Sequence, residues 1–474
     1  MKRGLIHDIS VNSFQVIINQ LCGLAIFYVL SIHFSKNNFG EINWTLAVLL
    51  TAFSVLSFGI DQVSIKKIAS GNDTKQILSV YIFHVLLAGG CFYGLLLIGC
   101  FFFNNFFHQH YLLLFLGIGK LMIFFSTPFK QLANGLEKFR ALLYMTICSN
   151  VVRSIVLIVF AIAYPLNLNV VIVIFIAGDI AELFLCLVIT KFIIKIPVTI
   201  RCQTKNYFDL IKESMPLGAV AFFTSAMARF DWILLGLLAS NIILAEYSFA
   251  YKVFEVATLP LLVIAPIFIP RFTKLFNSEV ADSTEKQQDL FIVLRIEIII
   301  ASLVALILNI VWTPVIDFIT HEKYGAINKY TILIFSCCMP LLYLNNFLWT
   351  IHFAKGHFKQ IFYIIAITFL VNIIGDIFLI LFFKAEGAAF AYLLALFVQS
   401  ILYWRKTDKK IIKQWRTLFL IPTIAIFSGV LSMFFFYNTW LILSIALLIF
   451  MTTLLIGKQV GRNDWYIFKR ITRL

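Results

Sequence analysis

Ionisable side chains lie in the middle of long apolar stretches of this sequence, where charges are costly. The basic members of this set are Lys120, Arg153, Arg229 and Lys252, and the acidic members are Asp179, Glu182, Asp231, Glu255 and Asp376. Each charge would cost about 2.5–3.5 kcal/mol at the centre of a membrane helix that faced lipid. We therefore expect these side chains to face one another or a water-filled cavity.

The four cations suit an anionic substrate. Counted along their helices at ~1.5 Å per residue, they lie in the middle or the outer half of the membrane. An Arg guanidinium binds phosphate through two parallel hydrogen bonds, and a Lys ammonium adds a point charge. The pattern thus predicts a cavity in which the cations attract phosphate groups. The alternative is that they form interhelical salt bridges that hold the bundle together, although such buried pairs stabilise only weakly.

Four of the acids, all except Asp376, also have two interpretations. Asp179 and Glu182 are three residues apart, so they share one helix face, and Glu255 shares a face with Lys252 in the same way. An intramembrane carboxylate is a natural relay group, so all four could carry a proton or bind sodium. They could instead only neutralise nearby cations. No spacing of His or Cys residues suggests a metal site, no catalytic motif is present, and we expect no cofactor.

The composition is that of an integral membrane protein. Hydrophobic residues make up 61% of the chain and charged residues 13%. The formal net charge is +15, but the basic residues lie in short segments between apolar stretches, as they do on a cytoplasmic membrane face. No basic helix or soluble domain is available to bind a duplex, so we expect no nucleic acid partner.

About 14 apolar stretches of roughly 20 residues cover most of the chain, and a helix of that length spans a bilayer. We therefore predict an all-α integral membrane protein. The predicted spans are 11–33, 43–63, 77–103, 111–133, 141–163, 170–192, 215–238, 244–270, 290–312, 328–353, 360–383, 386–404, 417–436 and 439–457.

The distribution of basic residues predicts the orientation. With the N-terminus inside, about 30 of the 38 Lys and Arg residues fall on the cytoplasmic side, so both termini are predicted there. The longest inner connections divide the chain into an N-terminal six-helix lobe, 1–192, a cytoplasmic linker, 193–214, and a second six-helix lobe, 215–404. Two extra helices and a basic cytoplasmic tail occupy 405–474. Paired halves with a site between them are a common transporter construction.

Four segments together resemble the bacterial polysaccharide flippases, which transport O-antigen and other oligosaccharide repeat units. Their superfamily also contains multidrug/toxin extruders and lipid II flippases. The resemblance covers most of residues 1–405. It rests on FGEINWTLAVLLTAFSVLSFGIDQVSIKKIA from Phe39; on Arg229-Phe230-Asp231-Trp232; on AEYSFAYKVFEV followed by a Pro-rich run to Phe272; and on Val371-Asn372 with Glu386-Gly387-Ala388-Ala389.

The resemblance implies two six-helix lobes around a central cavity that opens alternately to the two sides. It implies an undecaprenyl-diphosphate-type lipid-linked oligosaccharide as substrate, moved to the outer leaflet of a bacterial inner membrane for cell-surface polysaccharide biosynthesis. Membrane lipids, a coupling proton or sodium ion, and other polysaccharide assembly proteins are the expected partners. The diphosphate would be the ligand of the four cations.

Two other functions are compatible with so apolar a chain. A multidrug exporter of the same superfamily would favour cationic substrates, which the basic cluster disfavours. A membrane glycosyltransferase or polymerase would need a sizeable catalytic loop outside the membrane. The longest outer loop, about residues 313–327, contains Asp317, His321, Glu322 and Lys323 but is too short for such a site. We therefore expect a transporter rather than an enzyme.

Overall fold

A computed structural model of the chain is built of helices and their connections. It describes residues 2–200, 204–227, 229–261, 268, 272, 283–407 and 415–459, and no β-strand occurs in these ranges. The chain divides into two compact units, Met1–Ala245 and Glu246–Leu474. The predicted lobes and linker stay a prediction, since this division falls within a helix of the predicted second lobe, 215–404, and residues 201–203 of the linker lie outside the described ranges.

The first unit contains ten helices in its described residues, and an eleventh crosses into the second unit. Their bounds are α1 Lys2–His33, α2 Lys36–Leu56, α3 Ile60–Ala69, α4 Thr74–Phe102, α5 Asn104–Gln109, α6 Leu112–Gly135, α7 Phe139–Ala163, α8 Leu168–Val188, α9 Thr204–Met227, α10 Phe230–Leu238 and α11 Asn241–Ala257. A π-helical segment, Ile189–Ile194, extends α8.

Polar residues at the edges of apolar runs decide where several helices begin. The side chains of Ser35, Asp73 and Asn167 accept hydrogen bonds from backbone N–H groups in the first turns of α2, α4 and α8. These contacts satisfy amide groups that have no partner within the helix. Between α2 and α3, Gly59 adopts φ 71°, a left-handed conformation that suits glycine. Local sequence therefore sets these boundaries.

The described residues of the second unit form five further helices. These are α12 Ser283–Thr320, α13 Lys329–Ala354, α14 Phe358–Lys406, α15 Trp415–Phe435 and α16 Thr439–Ile456. The 49-residue α14 contains two of the predicted spans, 360–383 and 386–404. It is interrupted at Lys384, whose φ of 50° and ψ of −120° are not helical.

The described residues include 11 helices that are long and apolar enough to cross a membrane. They correspond to all the predicted spans except 215–238 and 244–270, but the helix that matches 43–63 ends at Leu56, and α3 begins at Ile60. The first of these two is divided, because α9 ends at Met227 and α10 begins at Phe230. The second continues into residues that lie outside the described ranges. The all-helical membrane fold is confirmed, and the count of 14 spans stays a prediction.

Helix α6 is central to the packing of the first unit. It contacts α2, α3, α4, α7 and α8, while α7 also packs against α1 and α8. Apolar side chains at the start of α4 and α7 and at the end of α3, α6 and α8 form a continuous core that includes Leu78, Leu132, Met145 and Cys186. This packing brings three helices with predicted charged residues, α6, α7 and α8, side by side.

Candidate functional site

Three adjacent helices bring together the first group of predicted charges. Lys120 lies on α6, Arg153 on α7 and Asp179 on α8. Arg153 forms an ion pair with Asp179, and Lys120 Nζ lies 3.9 Å from Asp179 Oδ2. Only 5% of Arg153 and 1% of Asp179 is exposed. At such burial an ionised side chain requires an opposite charge, and Asp179 supplies it to both cations.

A second ion pair lies further along the same helices. Glu182 on α8 pairs with Lys130 of α6. Ser126 Oγ donates a hydrogen bond to Glu182 Oε1 over 3.3 Å, and the Ser149 hydroxyl donates to Glu182 Oε2. Lys130 lies near the end of the predicted span 111–133, next to a predicted cytoplasmic segment, so the sequence did not single it out as the partner of a predicted site residue.

Contacts beyond the ion pair also hold the Arg153 guanidinium. Its Nε donates a hydrogen bond to the Phe175 carbonyl oxygen over 3.4 Å. Its central carbon lies 5.0 Å from the centroid of the Phe175 ring, within the range of a cation–π contact. Arg153 is therefore bound by α8 through a carboxylate, a carbonyl and an aromatic ring.

Two glycines allow the helices to approach this closely. A Cβ atom on Gly119 of α6 would lie 2.5 Å from Asp179 Oδ2. A Cβ atom on Gly178 of α8 would lie 2.7 Å from Arg153 Cγ. Small residues at helix contacts are typical of membrane proteins, where close packing replaces the hydrophobic driving force. The ion-paired side chains thus occupy space that glycine leaves.

Arg229 and Asp231 lie at a break between two helices. Arg229 precedes α10 with φ −143° and ψ −6°, and its guanidinium carbon lies 4.5 Å from the centroid of the Trp232 ring. Asp231 is buried, and its Oδ1 accepts a hydrogen bond of 2.8 Å from the backbone N–H of Trp232. Broken helices within a membrane occur where they are buried in protein or line a water-filled cavity, often at a binding site.

Lys252 and Glu255 pair with each other on α11. Lys252 Nζ lies 2.7 Å from Glu255 Oε2, across three residues of the helix. Their side chains are 13% and 26% exposed, more than the Arg153 and Asp179 side chains. The structure thus brings the predicted charges together in local groups, and the single cavity predicted for all four cations stays a prediction.

Two buried acids escaped the sequence reasoning. Glu41 lies on α2, just before the predicted span 43–63, and Glu297 lies on α12, two residues after Arg295 of the inner basic segment. They are 7% and 1% exposed, respectively. Within the part of the chain that the structure describes, Glu41 Oε1 and Glu297 Oε2 accept no hydrogen bond. For Glu297 the signal was its position inside the predicted apolar span 290–312.

The predicted outer loop, about residues 313–327, begins within α12, which ends at Thr320, and is held by hydrogen bonds to Asp317. Asp317 Oδ1 accepts a hydrogen bond of 2.7 Å from the Gly325 backbone N–H, and Asp317 Oδ2 accepts one of 3.0 Å from that of Ala326. His321 and Glu322 adopt positive φ angles in the same turn. The Asp317 carboxylate therefore holds the loop closed, a role that leaves its oxygens occupied by backbone groups.

Comparisons with known proteins agree on family and fold. A family model described as "Polysaccharide biosynthesis protein" matches residues 5–276. No curated protein matches the chain at a significant level. A solved lipid II flippase, MurJ in an inward closed conformation, superposes with a TM-score of 0.71 at 16% identity, over 96% of this chain and 99% of that chain.

Two further solved structures are similar at lower scores. An inward-facing multidrug resistance MATE family transporter of the MOP superfamily gives a TM-score of 0.66 at 11% identity, over 84% of this chain and 96% of that chain. A MOP superfamily transporter from Pyrococcus furiosus gives 0.59 at 11% identity, over 85% and 95%. At these identities the similarity establishes the fold alone, a bundle of membrane-spanning helices.

Proposed function

This chain belongs to the polysaccharide biosynthesis protein family, and on that premise we propose that it flips a polyprenyl-diphosphate-linked oligosaccharide across a membrane by alternating access. The observation that carries the proposal is the fold shared with a lipid II flippase over 96% of the chain. The proposed substrate is therefore a sugar that is attached to a membrane lipid. Its hydrophobic tail stays in lipid while its polar head crosses.

The diphosphate head must cross a hydrocarbon layer of ~30 Å, so cationic side chains have to replace the water that solvates it. Arg229 and Lys252 are the two predicted cations that are only partly buried. We assign the phosphate contacts first to these two side chains. Arg229 is the stronger candidate, since its forked donors match a phosphate and it lies at a helix break. Arg153 and Lys120 could bind the diphosphate only by leaving Asp179.

The location and orientation of the protein extend the same proposal. We place the protein in the bacterial inner membrane with both termini on the cytoplasmic side. The distribution of basic residues supports this orientation, because about 30 of the 38 Lys and Arg residues then fall on that side. A membrane-impermeant maleimide should label Cys202 from the inside only, in a variant that lacks the other cysteines. Labelling from the outside would contradict this orientation. Cys202 itself lies outside the described residues.

Transport can be tested with the purified full-length protein in liposomes. The probe is a fluorescent polyprenyl-diphosphate trisaccharide, and a membrane-impermeant glycosidase reports how much sugar is exposed outside. Wild-type protein should expose sugar that empty liposomes keep protected. Arg229→Ala should lose most of this movement, Arg229→Lys should retain part of it, and Arg405→Ala, at an exposed position near the end of α14, should be unaffected.

The same liposomes separate the flippase from the alternative functions. Movement of a cationic dye such as ethidium, with no movement of the lipid-linked trisaccharide, would contradict the proposal and favour a multidrug exporter. A trisaccharide probe that became longer or lost its sugar without any glycosidase would reveal an enzyme. Equal transport by wild-type protein and Arg229→Ala, at equal protein levels, would exclude the role assigned to Arg229.

A further inference from the structure

Glu297 is a buried acid that the transport proposal has not used. It lies on α12, seven residues after Leu290, where the apolar span Leu290–Thr320 begins. At ~1.5 Å per residue this is ~10 Å along the helix from the start of the span. Only 1% of the residue is exposed. Its side chain is therefore enclosed within the second unit, at membrane depth.

The surroundings of Glu297 offer it no counter-charge within the described residues. Helices α13, α15 and α16 pack against α12. On α13, the Tyr343 hydroxyl is within electrostatic range of Glu297. On α12 itself, Arg295 has its guanidinium carbon 5.8 Å from the centroid of the Phe291 ring. The sequence of this helix also contains Glu285, Lys286, Asp289 and Asp317, and on α15 Arg416 lies at the exposed first turn. The other titratable side chains of α13 are Lys329, Tyr330, Cys337, Cys338 and His352, and α16 has none.

This environment disfavours a charged carboxylate. An ionised acid without a cation or hydrogen-bond donors is expensive in a low-dielectric interior, and binding a proton removes the charge. A metal cation would need several oxygen ligands, and the described residues contain no group of three His, Cys, Asp or Glu side chains that could hold one. The proton is thus the cation that this site fits.

We propose that Glu297 is a proton-binding site that couples proton movement to transport in the second unit. The carboxylate takes up one proton from water on the side to which it is accessible and holds it as a neutral acid in the conformation described here. A conformation that admits water or a cation to the site releases the proton to the other side. The proposal rests on the proposed transport function, and it assigns coupling to an acid other than the ion-paired Asp179 and Glu182.

The transport test uses the same liposomes and trisaccharide probe, with and without a pH gradient. The gradient should accelerate wild-type transport, whereas Glu297→Gln should transport at the same rate with and without it. Glu322→Gln, which changes an exposed acid of the same unit, should respond to the gradient like the wild type. Equal acceleration of Glu297→Gln and wild type would overturn the proposal and leave the flippase function standing.

Infrared difference spectroscopy tests the proton site without any transport. The wild-type protein at neutral pH should show the carbonyl stretch of a protonated carboxyl group that is absent from Glu297→Gln and present in Glu322→Gln. An unchanged spectrum in Glu297→Gln would overturn the proposal. Because an amide resembles a neutral acid in shape, failure of Glu297→Gln to fold would also contradict it. If wild-type protein moved no trisaccharide, the flippase proposal would fail, and the infrared result alone would decide the proton site.

Discussion

Two regions of this protein hold buried acids differently: the ion-paired group on α6, α7 and α8, and the surroundings of Glu297 on α12. In the first unit, Asp179 and Glu182 each face a cation and are held by α6 and α7. In the second unit, Glu297 is at least as deeply buried yet accepts no hydrogen bond at Oε2 and forms no ion pair with the described residues. Both arrangements avoid an isolated charge in a low-dielectric interior, one by pairing and the other by protonation.

The difference separates fixed charges from changeable ones. An ion-paired acid remains charged and ties three helices together, so removing one partner leaves the other buried alone. A neutral acid has no partner to lose, and its charge can change when the protein opens to water. We therefore expect substitutions of the paired acids to reduce stability, and substitutions of Glu297 to affect coupling instead.

The largest effect is expected for Asp179→Asn. The amide keeps the shape but leaves Arg153 buried without its counter-charge, and breaking a buried pair in this way costs about 3–5 kcal/mol. Thermal unfolding of the detergent-solubilised protein and its abundance in membranes would show this loss, with Glu322→Gln as the control. Normal abundance and an unchanged unfolding temperature would mean that Arg153 and Asp179 do not stabilise the first unit.

Replacing both partners should recover much of that loss. Well-packed apolar substitutes for a buried ion pair are often neutral or stabilising by about 1–4 kcal/mol. Arg153→Met combined with Asp179→Leu should therefore be more stable than Asp179→Asn, because the double variant leaves only Lys120 without its counter-charge, whereas Asp179→Asn leaves both Lys120 and Arg153. The double variant also separates the two interpretations of Arg153. Restored stability together with normal transport would assign Arg153 a structural role, while restored stability without transport would favour its predicted contact with the diphosphate.

A smaller loss is expected for Gly178→Ala. The new Cβ atom would lie 2.7 Å from Arg153 Cγ, so α7 and α8 must separate, and such overpacking costs about 1–3 kcal/mol. Gly94→Ala is a matched control in α4, because a Cβ atom there meets nothing within 4 Å. Alanine favours a helix over glycine by up to about 1 kcal/mol. Unfolding temperatures that do not differ between the two variants would contradict the close helix contact.

The smallest effect on stability is expected for Glu297→Gln. A neutral amide replaces an acid that is already neutral, so the change in stability should stay within about 1 kcal/mol, as at sites where no partner is lost. Thermal unfolding at neutral pH, measured beside Asp179→Asn, makes the comparison direct. A loss as large as that of Asp179→Asn would show that Glu297 carries a charge with a partner.

The candidate residues were predictable from sequence, but their partners were not. A charged residue within a long apolar stretch can be recognised from the local sequence alone, which is why Lys120, Arg153, Asp179 and Glu182 could be found. Lys130 and Glu297 were overlooked because each lies near basic residues of a predicted inner segment, where charged side chains are expected. Only the packing of neighbouring helices shows that Lys130 reaches Glu182 and that no cation among the described residues forms an ion pair with Glu297.

The sequence by itself determined that this is a helical membrane protein, because hydrophobicity and span length are local properties. Each apolar stretch must by itself be long enough to cross the bilayer and must satisfy its own backbone hydrogen bonds. The sequence also placed Lys120, Arg153, Asp179 and Glu182 at membrane depth, where a charge needs a partner or water. The tertiary structure decided how each charge is satisfied, since residues 26 positions apart, such as Arg153 and Asp179, meet only after α7 and α8 have packed. It also decided that the predicted span 215–238 breaks beside Arg229, because a helix is interrupted in a membrane only where its surroundings can satisfy the freed backbone groups.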